Sequence, residues 1–448
     1  MSNTDMKARS PWSTLNEVQT VTISPVEKQM NSDIRIPGSK SFTNRALIMA
    51  ALAKGTSTLS GILKSDDSYW CIDVLNKLGV RTEVDGDVVT VSGCNSVWPT
   101  HQADLYIGAA GTIARFLPGA LAVSKEGNWV LEASNRMSER PVQPLIKALT
   151  DLGADIKYLS NEGYYPIQIK GGGLEGGLVS ISGKISSQFI SGLLMASPYA
   201  KKEVTVSIPD YIVQHDYVRI TLNLMEKFGV NVHYSDDLTQ MVVPKSEYLG
   251  RDIQLEADAS TASYFLALAA IMNGRIRINN LSVQTDQPDI KMIDVYEKMG
   301  CKIVRGLDYI ELTGAPTLQG GFEISMKEMS DQTLTLASIA PFASGPITLK
   351  DVEHIRHHES DRISAICTEL KKLGIEVTEY KDGLTVFPGN PLAATLDSYD
   401  DHRVAMSLAL IGAKVPGVQI NNPGCVSKTC PSYFELLNQL GVQVEYTK

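Results

Sequence analysis

The sequence predicts an α/β protein that folds as a two-lobed inside-out α/β barrel, with three repeats of a βαβαββ unit per lobe, helices buried and sheets outside. Three observations predict it. A glycine that ends an apolar helix recurs roughly every 70 residues. An Ala-rich helix in each interval is apolar on most of its faces. Val and Ile alternate in the short segments between helices, as in strands.

The recurring glycine follows a helix and precedes an alternating strand. It occurs in the phrases LNKLGVRTEV, IKALTDLGADIKY, LMEKFGVNVHY, VYEKMGCKIV, ELKKLGIEVTE and LLNQLGVQVEY. The position just after a helix needs a left-handed backbone, which glycine adopts most readily. The residues are Gly79, Gly153, Gly229, Gly300, Gly374 and Gly441.

The second helix of each unit is small and apolar. Its copies are NRALIMAALA, TIARFLPGALAV, SQFISGLLMASP, ASYFLALAAIM, LTLASIAPFA and VAMSLALIGA, most of them followed by a short strand such as EVTVS or RIRINN. Helices with no polar face must be buried, so the sheets lie outside. We expect residues 1–37 and 257–448 in lobe one, residues 38–256 in lobe two, and the active site in the cleft between lobes.

Composition limits the kinds of partner. Forty-one Lys and Arg against 50 Asp and Glu give a net charge of -9, which disfavours nucleic acid and acidic membrane surfaces. The six cysteines have no CxxC spacing, so we expect reduced thiols and neither zinc nor disulfides. The N-terminus has no apolar signal core and no apolar run reaches membrane-spanning length. We therefore expect a cytoplasmic monomer that binds small molecules.

The stretch PGSKSFTNRALIMAALAKG raises the possibility of a nucleotide P-loop. Its spacing disagrees, because Ser39 and Asp33 stand where the two glycines of that motif belong. What remains is a helix start that carries Lys40, Ser41 and Arg45, and such a helix start favours an anion.

Similar polar groups stand at other predicted turns between strands and helices. In the first half they are Gly108, Gly111, Thr112 and Arg115 in GAAGTIAR, Arg136 and Arg140 in NRMSERP, and Ser186, Ser187 and Gln188 in KISSQFI. In the second half they are Asp331 in EMSDQT, Arg356 to Arg362 in HIRHHESDR, Asp401, His402 and Arg403 in YDDHR, and Lys428 in SKTCP.

Each group alone has a structural explanation. Asp331 is a suitable helix N-cap, Asp361 with Arg362 a suitable surface pair, and a single histidine such as His402 is more often structural. His357 and His358 are adjacent and point to opposite faces of an extended segment, which disfavours a metal site. Taken together, several cations on separate turns repel each other unless anions bind among them, which favours two anionic substrates. Asp331 and Glu359 among those cations then suit proton transfer.

The motifs also match a known family. The stretches PGSKSFTNRALIMAALA, AGTIAR, RMSERP, SSQFISGLLM, DASTASYFLA, MSDQT, HESDR, DDHR and SKTCPSYFELL are spread over nearly the whole chain. With them the chain resembles the 5-enolpyruvylshikimate-3-phosphate synthases, enolpyruvyl transferases of the shikimate pathway. The resemblance implies two lobes of three repeats, and transfer of the enolpyruvyl group of phosphoenolpyruvate to the 5-hydroxyl of shikimate 3-phosphate. It implies no metal and no cofactor, and the family is the target of glyphosate, which competes there with phosphoenolpyruvate.

The resemblance also assigns residues. It implies that Asp331, Glu359, Lys40 and His402 are catalytic. The residues it implies for shikimate 3-phosphate are Lys40, Ser41, Arg45, Ser186, Ser187, Gln188, Gln214, Tyr217, Asp331, His354 and His358. Those it implies for phosphoenolpyruvate are Lys40, Gly111, Arg136, Gln188, Arg362, Arg403 and Lys428.

Four positions depart from the family pattern. Ala109, Gln214, His354 and His358 stand where Asn, Ser, Asn and Lys are usual. Three of these positions contact the phosphorylated acceptor in the family, so acceptor binding is where this chain differs most. A histidine that titrates near neutrality at position 358 predicts a steeper loss of activity above pH 7 than a lysine there would give.

Two alternatives remain. The sister enzymes that use UDP-N-acetylglucosamine resemble this chain in fold, but they carry a reactive cysteine in the loop that here reads Asn135-Arg136-Met137-Ser138, and Asn follows their lysine where Ser41 follows Lys40. A scaffold without catalytic activity would have no need of Asp331 and Glu359.

Overall fold

The computed structural model describes residues 5–25 and 29–448. The chain divides into two compact units, and residues 1–4 and 26–28, which the sequence-based boundaries include in lobe one, lie outside the described residues. Unit 1 contains Pro11–Pro37 and Ala257–Lys448, together with the described residues up to Met6. Unit 2 contains Gly38–Glu256 and also Lys7–Ser10. These four residues therefore group with unit 2, although the sequence-based division assigns them to the first lobe.

The described residues form α-helices of four to thirteen residues. They are α1 (Lys40–Leu52), α2 (Asp66–Lys77), α3 (Ile113–Ala122), α4 (Asn135–Ser138), α5 (Gln143–Asp151), α6 (Ser187–Ala196), α7 (Asp216–Lys227), α8 (Ala259–Ile271), α9 (Met292–Lys298), α10 (Thr333–Ile339), α11 (Arg362–Lys372), α12 (His402–Gly412) and α13 (Tyr433–Gln439).

Most of the strands are four or five residues long. Those up to the middle of the chain are β1 (Thr20–Ser24), β2 (Asn31–Ile34), β3 (Lys54–Ser60), β4 (Thr82–Asp85), β5 (Val88–Cys94), β6 (Gln102–Tyr106), β7 (Asn128–Glu132), β8 (Asp155–Tyr158), β9 (Ile167–Lys170), β10 (Gly177–Ser180), β11 (Val204–Ser207), β12 (His233–Tyr234), β13 (Gln240–Val243) and β14 (Asp252–Gln254). The remaining ones are β15 (Arg275–Ile278), β16 (Lys302–Arg305), β17 (Ile310–Thr313), β18 (Phe322–Ser325), β19 (Ile347–Lys350), β20 (Val377–Tyr380), β21 (Gly383–Val386), β22 (Thr395–Asp397), β23 (Val418–Asn421) and β24 (Gln443–Thr447).

The strands form four-stranded sheets that share one pairing pattern. Unit 2 has the orders β14-β3-β5-β4, β6-β7-β9-β8 and β10-β11-β13-β12, and unit 1 has β2-β15-β17-β16, β18-β19-β21-β20 and β22-β23-β1-β24. In the second of these sheets β6 and β7 are parallel, and β7, β9 and β8 are antiparallel neighbours. Because the chain order there is β6, α3, β7, the short α4 with α5, β8 and β9, the predicted βαβαββ unit is confirmed.

Two strands pair within one unit, although the helix that follows each of them in the chain belongs to the other unit. β2 leads into α1 of unit 2, but it pairs in parallel with β15 of unit 1. β14 leads into α8 of unit 1, but it pairs in parallel with β3 of unit 2. Each crossing strand therefore completes a sheet of the unit that the chain is leaving, and the helix after it begins the first repeat of the other unit.

The helices form the core of each unit. Every residue of α8 and α12 is buried, whereas strands such as β11 and β15 alternate between buried and half-buried residues. The recurring glycines all have positive φ, from 77° at Gly374 to 98° at Gly153. Their predicted position after a helix is confirmed. Among the described residues, no helix combines the length and apolar character needed to cross a lipid bilayer.

Candidate functional site

In unit 1 the charged residues from the sequence motifs collect where helices begin. Arg362 is the first residue of α11 and Arg403 the second of α12. Asp331 lies in a 3₁₀ helix, Lys327–Gln332, directly before α10, and Lys428 ends another, Pro423–Lys428. Helix N-termini carry partial positive charge, so this arrangement adds to the field of the cations and favours anions.

Arg362 is the centre of this cluster. Its side chain is 2% exposed, and its Nε donates to Asp401 Oδ2 at 2.8 Å. One terminal nitrogen donates to Asp331 Oδ1 and the other to Glu359 Oε2, both at 2.9 Å. Burial alone lowers the pKa of the Arg362 guanidinium, but the three carboxylates outweigh burial and raise that pKa above its ordinary value.

The two predicted proton-transfer groups, Asp331 and Glu359, each contact a second cation besides Arg362. Arg403 Nη2 donates to Asp331 Oδ2 at 3.1 Å, and Lys428 Nζ lies 3.3 Å from Glu359 Oε1. Burial raises the pKa of the Asp331 carboxyl, but Arg403 and Arg362 outweigh it and hold this pKa well below its usual range. Five of the residues that the sequence analysis assigned to the site therefore lie together within unit 1.

Two histidines lie beside the cluster. His354 Nε2 is 2.8 Å from Ser330 Oγ, and His358 Nδ1 is 3.0 Å from Arg362 Nη1. Burial, and then the Arg362 charge, lower the pKa of His358 well below its ordinary value. The expectation that His358 titrates near neutrality is wrong, because at pH 7 the ring is neutral and accepts from the guanidinium. A steeper loss of activity above pH 7 has no basis in this residue.

His354 predicts a dependence of stability on pH. Burial lowers its pKa from 6.5 to about 4, so between these values the unfolded chain binds more protons than the folded one. Its stabilising effect is complete above pH 6.5 and is lost as pH falls towards 4, by up to roughly 3 kcal/mol. We expect His354→Gln, which keeps a partner for Ser330, to flatten the acid side of the urea-midpoint profile. An unchanged slope would show that His354 does not cause it.

Sequence reasoning missed a buried carboxylate beside Asp331. Asp289 accepts from Gln332 Nε2 at 2.9 Å and from Ser260 through the same oxygen, Oδ2. Its other oxygen, Oδ1, has no hydrogen-bond donor within the described part of the chain. Burial, and then the Asp331 charge, raise the pKa of Asp289 to about 6. Nothing in the surrounding QTDQPDIK distinguishes this aspartate from a surface residue.

His402 and Asp401 begin α12 together. His402 is buried, and its Nδ1 lies 3.6 Å from Asp401 Oδ1. Asp401 caps the helix by accepting from the Arg403 backbone N–H at 3.0 Å, and the same carboxylate holds Arg362. The sequence motif therefore contains a positioning residue, Asp401, that was not among the predicted site residues. A catalytic role for His402 remains a prediction.

In unit 2, Lys40 begins α1 as predicted. Its Nζ lies 3.6 Å from Asp67 Oδ2, and the Asp67 side chain is 2% exposed. Asp67 belongs to the first turn of α2, so a second element of the unit fixes the position of the lysine partner. The sequence analysis gave Asp67 no role, because the run of two aspartates there resembles an ordinary acidic helix start.

Arg45 lies one turn after Ser41 and is buried. Its guanidinium donates to Thr221 Oγ1 at 2.7 Å, to Ser41 O at 3.0 Å and to Ser191 Oγ at 3.2 Å. All of its hydrogen-bond partners in residues 5–25 and 29–448 are neutral, the Tyr217 carbonyl included. Burial lowers the pKa of Arg45 to about 10. A buried cation without an acidic partner is unfavourable, so the site favours an anionic ligand group.

Two arginines, Arg115 and Arg140, lie beside Gly111. A Cβ on Gly111 would lie 3.0 Å from Arg140 Nη1 and 3.2 Å from Arg115 Nη1. Arg136 lies on the short helix α4 and pairs with the exposed Glu139 at 2.9 Å. The turn therefore combines a bare glycine backbone with two guanidinium groups, of which the sequence analysis had assigned neither to a substrate.

The predicted serine and glutamine residues include polar atoms without partners. Ser186 caps α6 by accepting from the Gln188 backbone N–H at 3.2 Å, and Ser187 is buried in the first turn. Gln188 Oε1 and Gln214 Nε2 are buried and have no hydrogen-bond partner among the described residues. Gln214 also has a φ of 51°, which is unfavourable for a residue with a side chain. Both amides are suited to a polar ligand.

Comparisons with known proteins agree with this geometry. A family model described as EPSP synthase (3-phosphoshikimate 1-carboxyvinyltransferase) matches residues 25–437. The chain is 58% identical over 448 residues to 3-phosphoshikimate 1-carboxyvinyltransferase 2 of Halalkalibacterium halodurans, covering 100% of both chains. It is 41% identical over 419 residues to 3-phosphoshikimate 1-carboxyvinyltransferase of Nostoc sp., covering 93% of this chain and 98% of that one.

A solved structure shows the same fold. EPSP synthase from Acinetobacter baumannii superposes with a TM-score of 0.82 at 26% sequence identity, over 96% of this chain and 100% of that chain. The predicted fold of repeated βαβαββ units is thereby confirmed at the level of a whole solved chain. Because a family model covers most of its length and relatives above 40% identity cover nearly all of it, the chain belongs to the EPSP synthase family.

Proposed function

We propose that this chain is a 3-phosphoshikimate 1-carboxyvinyltransferase, which moves the enolpyruvyl group of phosphoenolpyruvate to the 5-hydroxyl of shikimate 3-phosphate and releases phosphate. The observation that carries the proposal is the cluster in unit 1, where Asp331 and Glu359 alternate with three buried cations. Cations bind a phosphate and a carboxylate, and carboxylates beside them move protons.

The cations of unit 1 suit phosphoenolpyruvate, a small molecule with a phosphate and a carboxylate. Arg362 and Arg403 present planar groups that bind such anions through two parallel hydrogen bonds, and Lys428 adds a compact charge. Burial strengthens each of these interactions, because little water competes for the same donors. In unit 2, the turn at Gly111 has Arg115 and Arg140 beside it and is likewise suited to an anionic group.

The same cations control the two carboxylates. A substrate anion that accepts hydrogen bonds from Arg362 and Arg403 shares these donors with Asp331, whose pKa then rises towards the range of a useful base. Glu359 shares Arg362 and Lys428 in the same way. Binding of phosphoenolpyruvate therefore increases the basicity of the groups that act on it, so proton transfer follows binding.

Unit 2 provides the groups for shikimate 3-phosphate. Arg45 is a buried cation among neutral partners, which favours an acidic group of the acceptor. Ser186 and Ser187 stand at the positive end of α6, where a phosphate is favoured. The buried amide atoms of Gln188 and Gln214 that have no partner in the described residues suit its hydroxyl groups. Lys40 is the residue we assign to both substrates.

The reaction then proceeds by addition and elimination. Glu359, with Lys40, delivers a proton to the methylene carbon of phosphoenolpyruvate, which leaves cationic character on the neighbouring carbon. Asp331 takes the proton of the 5-hydroxyl while the hydroxyl oxygen bonds to that carbon, giving a tetrahedral adduct. The adduct loses phosphate, which takes up the proton held by Asp331, and one methyl proton, which returns to Glu359. Holding both reactants in place contributes up to ~7–11 kcal/mol to lowering the barrier.

We also propose that the protein acts in the cytoplasm as a monomer. The substrates are small and phosphorylated, and the six cysteines are free thiols. Burial raises the pKa of Cys94 and Cys301 to about 11 and that of Cys367 and Cys430 to about 12, so these thiols are not reactive nucleophiles. This also argues against the sister reaction, which uses a reactive cysteine.

The test is an assay of phosphate release without added metal. The protein is incubated with phosphoenolpyruvate and either shikimate 3-phosphate or UDP-N-acetylglucosamine. We expect release only with shikimate 3-phosphate, together with a product that carries the enolpyruvyl group. Release with the UDP-sugar alone would instead support the sister reaction. Release with neither acceptor would support a scaffold and overturn the proposal.

A further inference from the structure

The segment Lys7–Ser10 lies outside the family match and has no role in the proposal above. The match begins at residue 25, and the residues that follow Ser10 group with unit 1. These four residues group with unit 2 instead, where Ala8 and Ser10 are buried. A short segment from near the N-terminus is thus part of the unit that carries Lys40.

The segment contacts the start of α2 and the aromatic residues beside it. The Ser10 backbone N–H donates to Asp66 Oδ1 at 2.8 Å, in a buried hydrogen bond. Trp70 Nε1 donates to the Ala8 carbonyl, also at 2.8 Å. Lys7 Nζ lies 4.3 Å from the centre of the Tyr106 ring. Two hydrogen bonds and one cation–π contact therefore hold this segment against the rest of unit 2.

The contacted residues adjoin the substrate-binding groups. Asp67 follows Asp66 in the first turn of α2 and pairs with Lys40 Nζ at 3.6 Å. The Trp70 ring packs against the turn that contains Gly111, because a Cβ on Gly108 would lie 2.4 Å from a ring carbon. One route from the segment therefore leads to Lys40, which is assigned to both substrates, and the other to Gly108, three residues before Gly111.

We propose that residues 7–10 are a positioning element that fixes the first turn of α2 and, through Asp67, holds Lys40 in place for the substrates. This inference rests on the proposed role of Lys40. A lysine side chain loses considerable rotamer freedom when it is held in one geometry, and a fixed ionic partner makes that geometry the preferred one. Without the Ser10 N–H, Asp66 loses a buried donor and the first turn of α2 adjusts to regain one.

The test removes one backbone hydrogen-bond donor from the segment. Ser10→Pro lacks the backbone N–H that Asp66 accepts, whereas the matched variant Ser10→Ala keeps it. We expect Ser10→Pro to raise the KM for phosphoenolpyruvate and lower kcat, with a combined fall of about tenfold in kcat/KM, which corresponds to about 1.4 kcal/mol. Trp70→Phe, which keeps an aromatic ring but cannot donate to Ala8, changes both constants in the same direction. Equal kinetics for Ser10→Pro and Ser10→Ala would overturn the inference.

A double-mutant cycle distinguishes positioning from a general loss of structure. If the segment acts through the Asp67–Lys40 pair, Ser10→Pro should change kcat/KM by less than twofold in an Asp67→Asn background. Additive effects would mean that the segment acts on something other than Lys40, and the inference would be wrong. Phosphate release by the unchanged protein is measured alongside, so that failure of the proposed function is seen separately from failure of this inference.

Discussion

We expect Asp331→Asn to lower kcat by about 10²–10⁴-fold, the usual range for removing a group that transfers a proton in the transition state. The amide keeps the size and shape of the carboxyl but cannot take the proton of the attacking hydroxyl. The KM for phosphoenolpyruvate should stay the same or fall, because Arg362 and Arg403 lose an internal anion that shares their hydrogen bonds. Steady-state kinetics with both substrates give this division between kcat and KM.

The matched control is Asp294→Asn on the surface of the same unit. Asp294 pairs with Arg305, and its side chain is 69% exposed. We expect its kinetics to stay within twofold of the unchanged protein. A fall in kcat for Asp331→Asn no larger than this control shows would mean that Asp331 is not the base. A large rise in KM with kcat unchanged would instead assign it to binding.

The repeated fold was predictable because its signals are local. A glycine after each helix and apolar residues on most helix faces are visible within one unit, and repetition made the pattern reliable. The sequence-based boundaries assigned β2 to lobe one and β14 to lobe two, but the partner strands of β2 and β14 were not predictable from local signals. Ile34 pairs with Ile278 in the structure, far along the chain, and no local pattern selects that partner. The position of Lys7–Ser10 in unit 2 depends on tertiary contacts for the same reason.

The site residues also divide into those that a local sequence signal indicates and those that only the folded chain reveals. Arg362 and Asp331 were found from their motifs, because charged residues at helix starts are conspicuous in sequence. Asp289 was missed, and Arg140 was noted at its turn but assigned to no substrate, because only the folded chain shows one to be buried beside Asp331 and the other to lie beside Gly111. His358 was found, but its charge state was predicted wrongly. A reference pKa applies to an exposed ring, and sequence does not show how strongly burial changes it.

Arg362→Gln has the largest expected effect on stability. The guanidinium is the shared partner of Asp401, Asp331 and Glu359, and the Asp401 side chain is 0% exposed. Removing one member of a buried ionic group typically costs about 3–5 kcal/mol, because the remaining charges stay buried without compensation. Activity should fall at the same time, since phosphoenolpyruvate loses a donor and both carboxylates lose the cation that orients them.

The pH dependence of this loss shows whether buried charge is its cause. Without the guanidinium, Asp331 loses one of the two arginines that hold its pKa low, so this pKa rises in the folded protein and a proton neutralises the carboxyl more readily as pH falls. The shift in urea midpoint should therefore be large at pH 8 and distinctly smaller at pH 5.5, whereas a packing defect would give equal shifts at both.

Arg305→Gln, which removes a surface pair, should cost under about 1 kcal/mol at either pH. Arg362→Lys should recover part of the stability, since it restores the charge but not the three-directional hydrogen bonding. A loss for Arg362→Gln as small as that of the surface control would show that the three carboxylates do not depend on this arginine. The proposal that Arg362 is their shared cation would then be wrong.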